Sequence, residues 1–325
     1  MKTRSRSVPF EGAAGEQIAI APTIHWQRWV VGAIAIAAVL WALSILIFNP
    51  NIRWSRVWEY LFSPTILEGV VVTIWVSIAA TILGLVTGVI LAVMKISQNP
   101  VLRWIAEGYI WFFRGTPVLV QLIFWFNLAF LLPFITLKIP FTNIGMRWDT
   151  NALISGSVAA LLGLGLNLAA YFAETVRAGI QAVDQGQREA ALAGGMTSSQ
   201  TMRLIVLPQA LRIIIPPTGN EFISMLKTTS LIVVVAGNDL MTNASRIYKQ
   251  NNLIIELLIV ASLWYMLMTA IATYLQSLLE KRFGQDRVRM IRGEGFSQKM
   301  IRIATESIKV PRSGQANGQK KEALR

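Results

Sequence analysis

Six apolar runs, separated by short polar segments, constrain this chain more than any other feature. The first, Trp29 to Phe48, opens after Arg28 and is 20 residues long. A helix needs about 20 residues to cross a bilayer core. The others run from about Ile66 to Met94, Ile105 to Phe134, Ala152 to Ala173, Leu207 to Val235 and Leu253 to Leu279. In lipid the backbone must satisfy its own polar groups, so runs of this length are expected as helices. A cleavable signal would have a shorter apolar core ending in small residues; the first run ends in Ile-Phe-Asn-Pro, so a retained span is expected. Composition agrees: 54% of the 325 residues are hydrophobic, 14% are charged and the mean hydropathy is +0.52. Soluble domains carry about 25% charged residues. The expected class is an all-α polytopic membrane protein with about six transmembrane helices.

The formal charge of +13 could point to nucleic acid, but the cations sit mainly in the tails and between apolar runs. Six spans place both termini on one side. On that side, residues 1–28, 95–104, 176–212 and 279–325 hold four, two, four and twelve lysines and arginines. On the other, residues 49–65, 136–151 and 237–252 hold two each, while Arg114 and Lys227 lie inside runs. The positive-inside rule therefore puts both termini and the segment 176–212 in the cytoplasm. Trp54, Trp58 and Trp148 fall near external span ends, where interfacial anchors belong. Residues 1–24 are expected as a mobile cytoplasmic tail, and the basic stretch from Glu280 to Arg325 as a flexible, solvated one. That basic tail could also meet anionic lipid. No nucleic-acid partner is expected.

Several chemistries are missing. There is no cysteine, and His25, the single histidine, lies outside the apolar runs as a solvated residue. No Gly-x-x-x-x-Gly-Lys-Ser/Thr, His-Glu-x-x-His, Gly-x-Ser-x-Gly or metal-ligand cluster occurs. The chain is expected to have no catalytic site and no metal, with any chemistry supplied by a partner.

Ionisable and polar groups within spans usually face a protein interior or a water-filled path. Asn167, Tyr171, Glu174 and Ala178 recur at i, i+4, i+7 and i+11, a stripe that continues to Gln181. Asn220, Ser224 and Lys227 form a second face. These faces are expected to meet around a translocation path, with Arg114 nearby. Structural roles stay open: Glu174 and Arg177 can pair with each other, and Arg114 can anchor a span end. The Gly84-x-x-x-Gly88 pair can admit a second helix closely, or simply reflect the tolerance of membrane helices for glycine.

The segment from Glu189 to Pro208, EAALAGGMTSSQTMRLIVLP, is polar, rich in small residues and lodged between two apolar runs. Glu189-Ala190-Ala191 is followed after three residues by Gly195, and after nine more by Ile205-x-Leu207-Pro208. A short helix entering a groove on another protein needs small side chains at close approach, supplied by Ala190, Ala191, Ala193 and Gly194. Arg188 and Glu189 suit charged contacts at the rim. Gly195 suits the turn after a first short helix, and Pro208 the first turn of the next. An ordinary loop with an Ala-rich helix is the bland alternative.

This segment resembles the EAA loop by which permease subunits of bacterial ABC importers dock on their ATPase. From about Thr65 to Phe283 the chain is similar to the polar amino-acid branch of those permeases, which includes histidine, glutamine, arginine and opine permeases. The similarity is carried by Tyr109 to Gln121 (YIWFFRGTPVLVQ), with Arg114, Gly115, Thr116, Pro117 and Gln121. It is carried also by Leu166 to Gly179 (LNLAAYFAETVRAG), with Arg177, then by Gly186-Gln187 before the loop and by Leu226 to Leu231 (LKTTSL). Thr228 departs from the usual K-D/N-T-S-L.

The resemblance implies a type I ABC importer permease fold over 65–283, with the coupling loop at 176–208. The span at 29–48 and the tails 1–28 and 284–325 are then additions to a core that usually has five spans. It implies that Arg188, Glu189, Ala190, Ala191, Gly195, Ile205, Leu207 and Pro208 form the ATPase contact. The implied partners are a cytoplasmic ABC ATPase dimer, a second permease subunit (self or a close relative), an extracytoplasmic amino-acid-binding protein and membrane lipid. ATP and Mg would be held by the ATPase, with no cofactor in this chain. The implied place is a bacterial inner membrane, and the implied cycle is alternating access. The other functional reading is a stand-alone ion-coupled secondary transporter. Intramembrane charges and helix breakers such as Pro117 and Pro216 favour it, but there is no obvious repeat between the halves and it leaves the coupling-loop pattern unexplained.

Overall fold

The computed structural model describes residues 26–138 and 145–307, by backbone alone beyond 281. His25, the rest of the N-terminal tail before Trp26 and residues 308–325 lie outside the described residues. The chain divides into two units, 1–54 and 55–325. In the first, the opening apolar run forms α1 (Trp26–Ile47), and the Trp54 indole N–H closes the following turn on the Ile47 carbonyl at 2.8 Å.

The second unit takes up the chain at Ser55, within α2 (Trp54–Leu61), and continues with α3 (Pro64–Ile96). Pro64 occupies the first turn of α3, where its missing N–H costs nothing, and Lys95 sits in the last turn beside the negative end of the helix dipole. Next come α4 (Pro100–Gly115), α5 (Val118–Phe126), α6 (Leu128–Leu131), strands β1 (Phe134–Lys138) and β2 (Gly145–Asp149), and α7 (Thr150–Leu153). After these, α8 (Gly156–Gln181) leads into α9 (Gln185–Ala193) and α10 (Ser198–Gln200). A π-helical turn (Thr201–Val206) joins α10 to α11 (Leu207–Thr228), which tightens into a 3₁₀ segment (Thr229–Val235). Helices α12 (Leu240–Asn251) and α13 (Ile254–Ser307) complete the described chain.

The core is built on α3 against α8, and its glycines decide how close the two helices come. A Cβ added at Gly88 would lie 2.6 Å from Phe172 Cβ and 2.9 Å from the Ala169 carbonyl oxygen. One at Gly84 would lie 3.0 Å from Leu168 Cβ. From the other side, a Cβ at Gly165 would meet the Leu83 side chain at 2.7 Å. The Gly84/Gly88 pair is therefore a helix-contact surface and not mere tolerance. Around it Val76, Ala80, Leu164, Leu168 and Phe172 are buried with Leu122 of α5 and Met225 of α11.

Three elements depart from the sequence reading. The third run is not one span: α4 and α5 meet at a 100° bend across Thr116-Pro117, because Pro117 cannot continue the α4 hydrogen-bond ladder. The run also stops short of Phe134, which opens an antiparallel strand pair, the only one among the described residues. Phe134 pairs with Asp149 and Thr136 with Arg147, and the Arg147 guanidinium lies 3.6 Å over the Phe134 ring. Finally, helix α13 runs on to Ser307 where a flexible tail was expected. Residues 280–307 hold no proline, and their three glycines, Gly284, Gly293 and Gly295, weaken the helix without ending it.

Among the described residues, three helices are long and apolar enough to cross a membrane: Pro64–Ile96, Gly156–Gln181 and Ile254–Lys281. There are five if each bent pair, α4 with α5 and Ser198–Val235 with α12, is one span. The expected six is reached only by adding the shorter apolar stretch Trp29–Ile45 of α1.

Candidate functional site

The bend between α4 and α5 is held by side-chain amides. Gln121, 5% exposed, donates through Nε2 to the Phe113 carbonyl at 3.0 Å and to the Thr116 carbonyl and hydroxyl at 3.1 and 2.7 Å. Asn167 of α8 donates to the same Phe113 carbonyl at 2.9 Å. Carbonyls at a helix C-terminus lack intrahelical donors, and these two amides supply them. Replacing Gln121 by leucine is expected to destabilise the subunit by about 1–3 kcal/mol, the cost of stranding the Thr116 carbonyl, since the Phe113 carbonyl keeps Asn167. Thermal unfolding of the detergent-solubilised protein measures it; an unchanged midpoint would mean that packing alone holds the bend.

The bend makes one wall of a cavity of about 540 Å³. Arg114, Gly115, Thr116 and Pro117 contribute that wall, Asn167 and Tyr171 of α8 the second, and Glu221 and Ser224 of α11 the third. The Arg114 guanidinium carbon stands 5.2 Å over the Tyr171 ring. The α5 helix starts at this wall. Its Val120 and Gln121 N–H groups bond the Pro117 carbonyl, while those of Val118 and Leu119 have no intrahelical acceptor. A cation, a helix N-terminus and a carboxylate thus line one cavity.

The proposed stripe on α8 divides between two places. Asn167 and Tyr171 line this cavity, whereas Glu174 does not. Glu174, 20% exposed, is bonded to Lys95 of α3 and to Arg177, whose Nη2 lies 2.8 Å away. The ion-pair reading of Glu174 and Arg177 therefore holds, with Lys95 as a third member, and Arg177 also donates to Gln181. On α11, Ser224 lines the cavity but Asn220 and Lys227 do not. Asn220 is exposed and its side-chain oxygen accepts from Gln276 of α13 at 3.0 Å; Lys227 is exposed outside the cavity. The residue missed is Glu221. The face that lines the cavity is Glu221, Ser224, Met225 and Thr228, at i, i+3, i+4 and i+7. Glu221 is the single carboxylate of the fifth apolar run, and that alone could have found it.

The segment from Glu189 to Pro208 is two short helices and a turn. Asp184 caps α9 by accepting from the Gln187 N–H at 3.2 Å. After α9, Gly195 takes φ +84°, and the Met196 N–H reaches back to the Ala191 carbonyl at 3.1 Å. That left-handed turn is where glycine is needed. Thr197 and Gln200 then form a reciprocal capping box for α10. Pro208 falls in the first turn of α11, with the Leu207 N–H donating to the Met202 carbonyl in the π-helical turn before it. Glu189 is exposed, steadied by Gln185 at 2.8 Å, and Ala190 and Ala193 are exposed beside it. Ala191 faces inward, buried, because the turn folds back over it. Arg188 also turns inward and donates to the Ile180 carbonyl, so it is not a rim residue. Leu192 and Leu204, 49% and 62% exposed, add an apolar surface that the sequence pattern did not single out. Ile205 is half-buried and Leu207 exposed.

Residues 84–285 match the family described as binding-protein-dependent transport system inner membrane component. The arginine transport system permease protein ArgU of Corynebacterium glutamicum is 44% identical over 272 residues, 83% of this chain and 84% of that protein. The probable glutamine ABC transporter permease protein GlnM of Bacillus subtilis is 36% identical, over 66% of this chain and 92% of its own. Among solved structures, an amino acid ABC transporter crystallised with histidines is 35% identical over 68% of this chain and 95% of its own, with a TM-score of 0.59. The family match runs from within α3 to within α13, and these likenesses favour an importer subunit over a stand-alone carrier. The chain belongs to the binding-protein-dependent transport system inner membrane component family, with the helical fold of ABC importer permeases.

Proposed function

We propose that this chain is one permease subunit of an ATP-driven importer of polar amino acids and forms half of the translocation pathway. The observation that carries the reading is the cavity between the broken α4–α5 pair, α8 and α11. It brings Arg114 and the start of α5 into one cavity with Glu221. An α-amino acid carries a carboxylate and an ammonium on one carbon, and a cavity lined by both a cation and a carboxylate can recognise both. Half-helix N-termini at membrane depth take anionic substrate groups in the same way. The names of the relatives, arginine and glutamine permeases among them, support the substrate class.

The subunit works with a second permease, a cytoplasmic ABC ATPase dimer that binds ATP and Mg, and an extracytoplasmic binding protein. Both termini lie in the cytoplasm, as the excess of cations on that side supports. The ATPase grips α9 and α10 through Glu189, Ala190, Gly195 and the exposed leucines. Because α10 passes through the π-helical turn directly into α11, a pull on the loop moves the helix that carries Glu221. The ATPase, the binding protein and the substrate each bias the inward- and outward-facing states by binding them unequally.

Glu189→Lys tests the docking. Charge reversal at an exposed, contacting carboxylate is expected to release the ATPase from the purified complex, or to uncouple ATP hydrolysis from uptake, while the permease stays folded. Co-purification and coupled uptake as in wild type would show that α9 is not the contact.

A further inference from the structure

A second cavity, of about 550 Å³, opens at the opposite end of α8 from its N-cap Ser155. It is lined by Lys95, Arg103, Glu107, Arg177, Gln181 and Arg188 among others, and the function above makes no use of it. Its charges do not balance. Glu107 is taken by Arg103 at 3.0 Å, and Glu174, behind the wall, by Lys95 and Arg177. Among the described residues no carboxylate pairs with Arg188. One of its N–H groups bonds the Ile180 carbonyl, and its Nε–H is buried with no acceptor. The acceptor oxygen of Gln181 is already used by Arg177. Four cations, Lys95, Arg103, Arg177 and Arg188, therefore line this space with one carboxylate, Glu107, while Glu174 lies behind them. That excess of cations suits an oxygen-rich anion.

The rim says where that anion comes from. Arg103 stands on α4 with its side chain 63% exposed, next to Trp104, 78% exposed, and near Val101, 61% exposed. A cation beside an exposed indole at a span end marks the headgroup level of a bilayer. From the geometry we infer that this cavity binds the phosphodiester headgroup of an anionic phospholipid from the cytoplasmic leaflet. Arg188 and Arg103 receive the phosphate, and the acyl chains lie along α4 past Trp104. The inference rests on the membrane orientation proposed above. It places a lipid against Arg188, at the root of α9, so leaflet charge is felt where the ATPase docks.

Native mass spectrometry of the purified complex, with phosphatidylglycerol and phosphatidylcholine added in equal amounts, tests it. Wild type is expected to retain phosphatidylglycerol preferentially. Each cation near an anionic headgroup contributes about a fivefold preference. The double variant Arg103→Gln/Arg188→Gln is therefore expected to lose roughly 25-fold, while Arg103→Lys/Arg188→Lys keeps most of the preference. Should the double glutamine variant fail to assemble, Arg103→Gln alone is expected to lose about fivefold. Equal retention of the two lipids by wild type, or an unchanged preference in the glutamine variants, overturns the proposal. Displacement of the lipid by millimolar inorganic phosphate also overturns it, and assigns the cavity to a soluble phosphate instead. ATP-driven uptake measured on the same wild-type preparation reports separately on the transport function, so the two failures are distinguishable.

Discussion

Replacing Gly88 by leucine is expected to prevent recovery of a folded subunit. A Cβ there already falls inside the contact distance of Phe172 Cβ and of the Ala169 carbonyl. Both atoms belong to the packed helix α8 and not to the end of a flexible side chain, so neither can yield without moving α8. Inserting methylenes into packed cores costs about 1–3 kcal/mol where side chains can adjust. Here the backbone must separate, and the cost is expected to exceed about 3 kcal/mol, a large part of a marginal stability. Gly108→Leu is the matched control, because a Cβ at Gly108 meets nothing within 4 Å. Monodisperse protein after size-exclusion chromatography, and its thermal midpoint, are the measurements. Equal behaviour of the two variants would show that the approach of α3 to α8 is not what holds the bundle.

Glu221→Gln and Arg114→Gln are expected to leave assembly intact and to suppress uptake. On the function proposed above, each would remove a charge-assisted hydrogen bond to a substrate group, Glu221→Gln without a change of side-chain size. Such bonds contribute about 1.5–3 kcal/mol, so uptake at low substrate is expected to fall roughly 10- to 150-fold. Lys227→Gln, an exposed position outside the cavity, is the comparison. If Glu221→Gln transports like wild type while Lys227→Gln does not, the path follows the other face of α11. The reading of the cavity then fails.

The two faces of α11 show what the sequence could convey and what it could not. Asn220, Ser224 and Lys227 are legible as a helical stripe, but a stripe beginning one residue later, at Glu221, is the one that turns inward. A hundred-degree choice of face depends on which neighbours pack against the helix, and that is tertiary information. The break at Arg114-Gly115-Thr116-Pro117 was likewise visible, while its 100° angle depends on Gln121 and Asn167, amides from elsewhere that meet one carbonyl. The hairpin was hidden because Phe134 extends an apolar run and the strands are only five residues each. By contrast, the turn at Gly195 and the helix start at Pro208 were legible, since each is fixed by the backbone chemistry of one residue. Arg188, expected at the rim, and Ala191, expected at the close approach to a partner, both face inward, because a loop pattern does not reveal which of its residues pack beneath it. The Glu174–Arg177 pair, three residues apart, was open to the sequence; its third member, Lys95, was not, because it comes from α3.

The most direct test of the central claim is amino-acid uptake into proteoliposomes containing this chain, compared with and without its candidate ATPase, binding protein and ATP. The account predicts uptake only when all are present, with arginine and glutamine among the first substrates to try. Uptake by the chain alone in ATP-free vesicles, driven by an ion gradient, would contradict it.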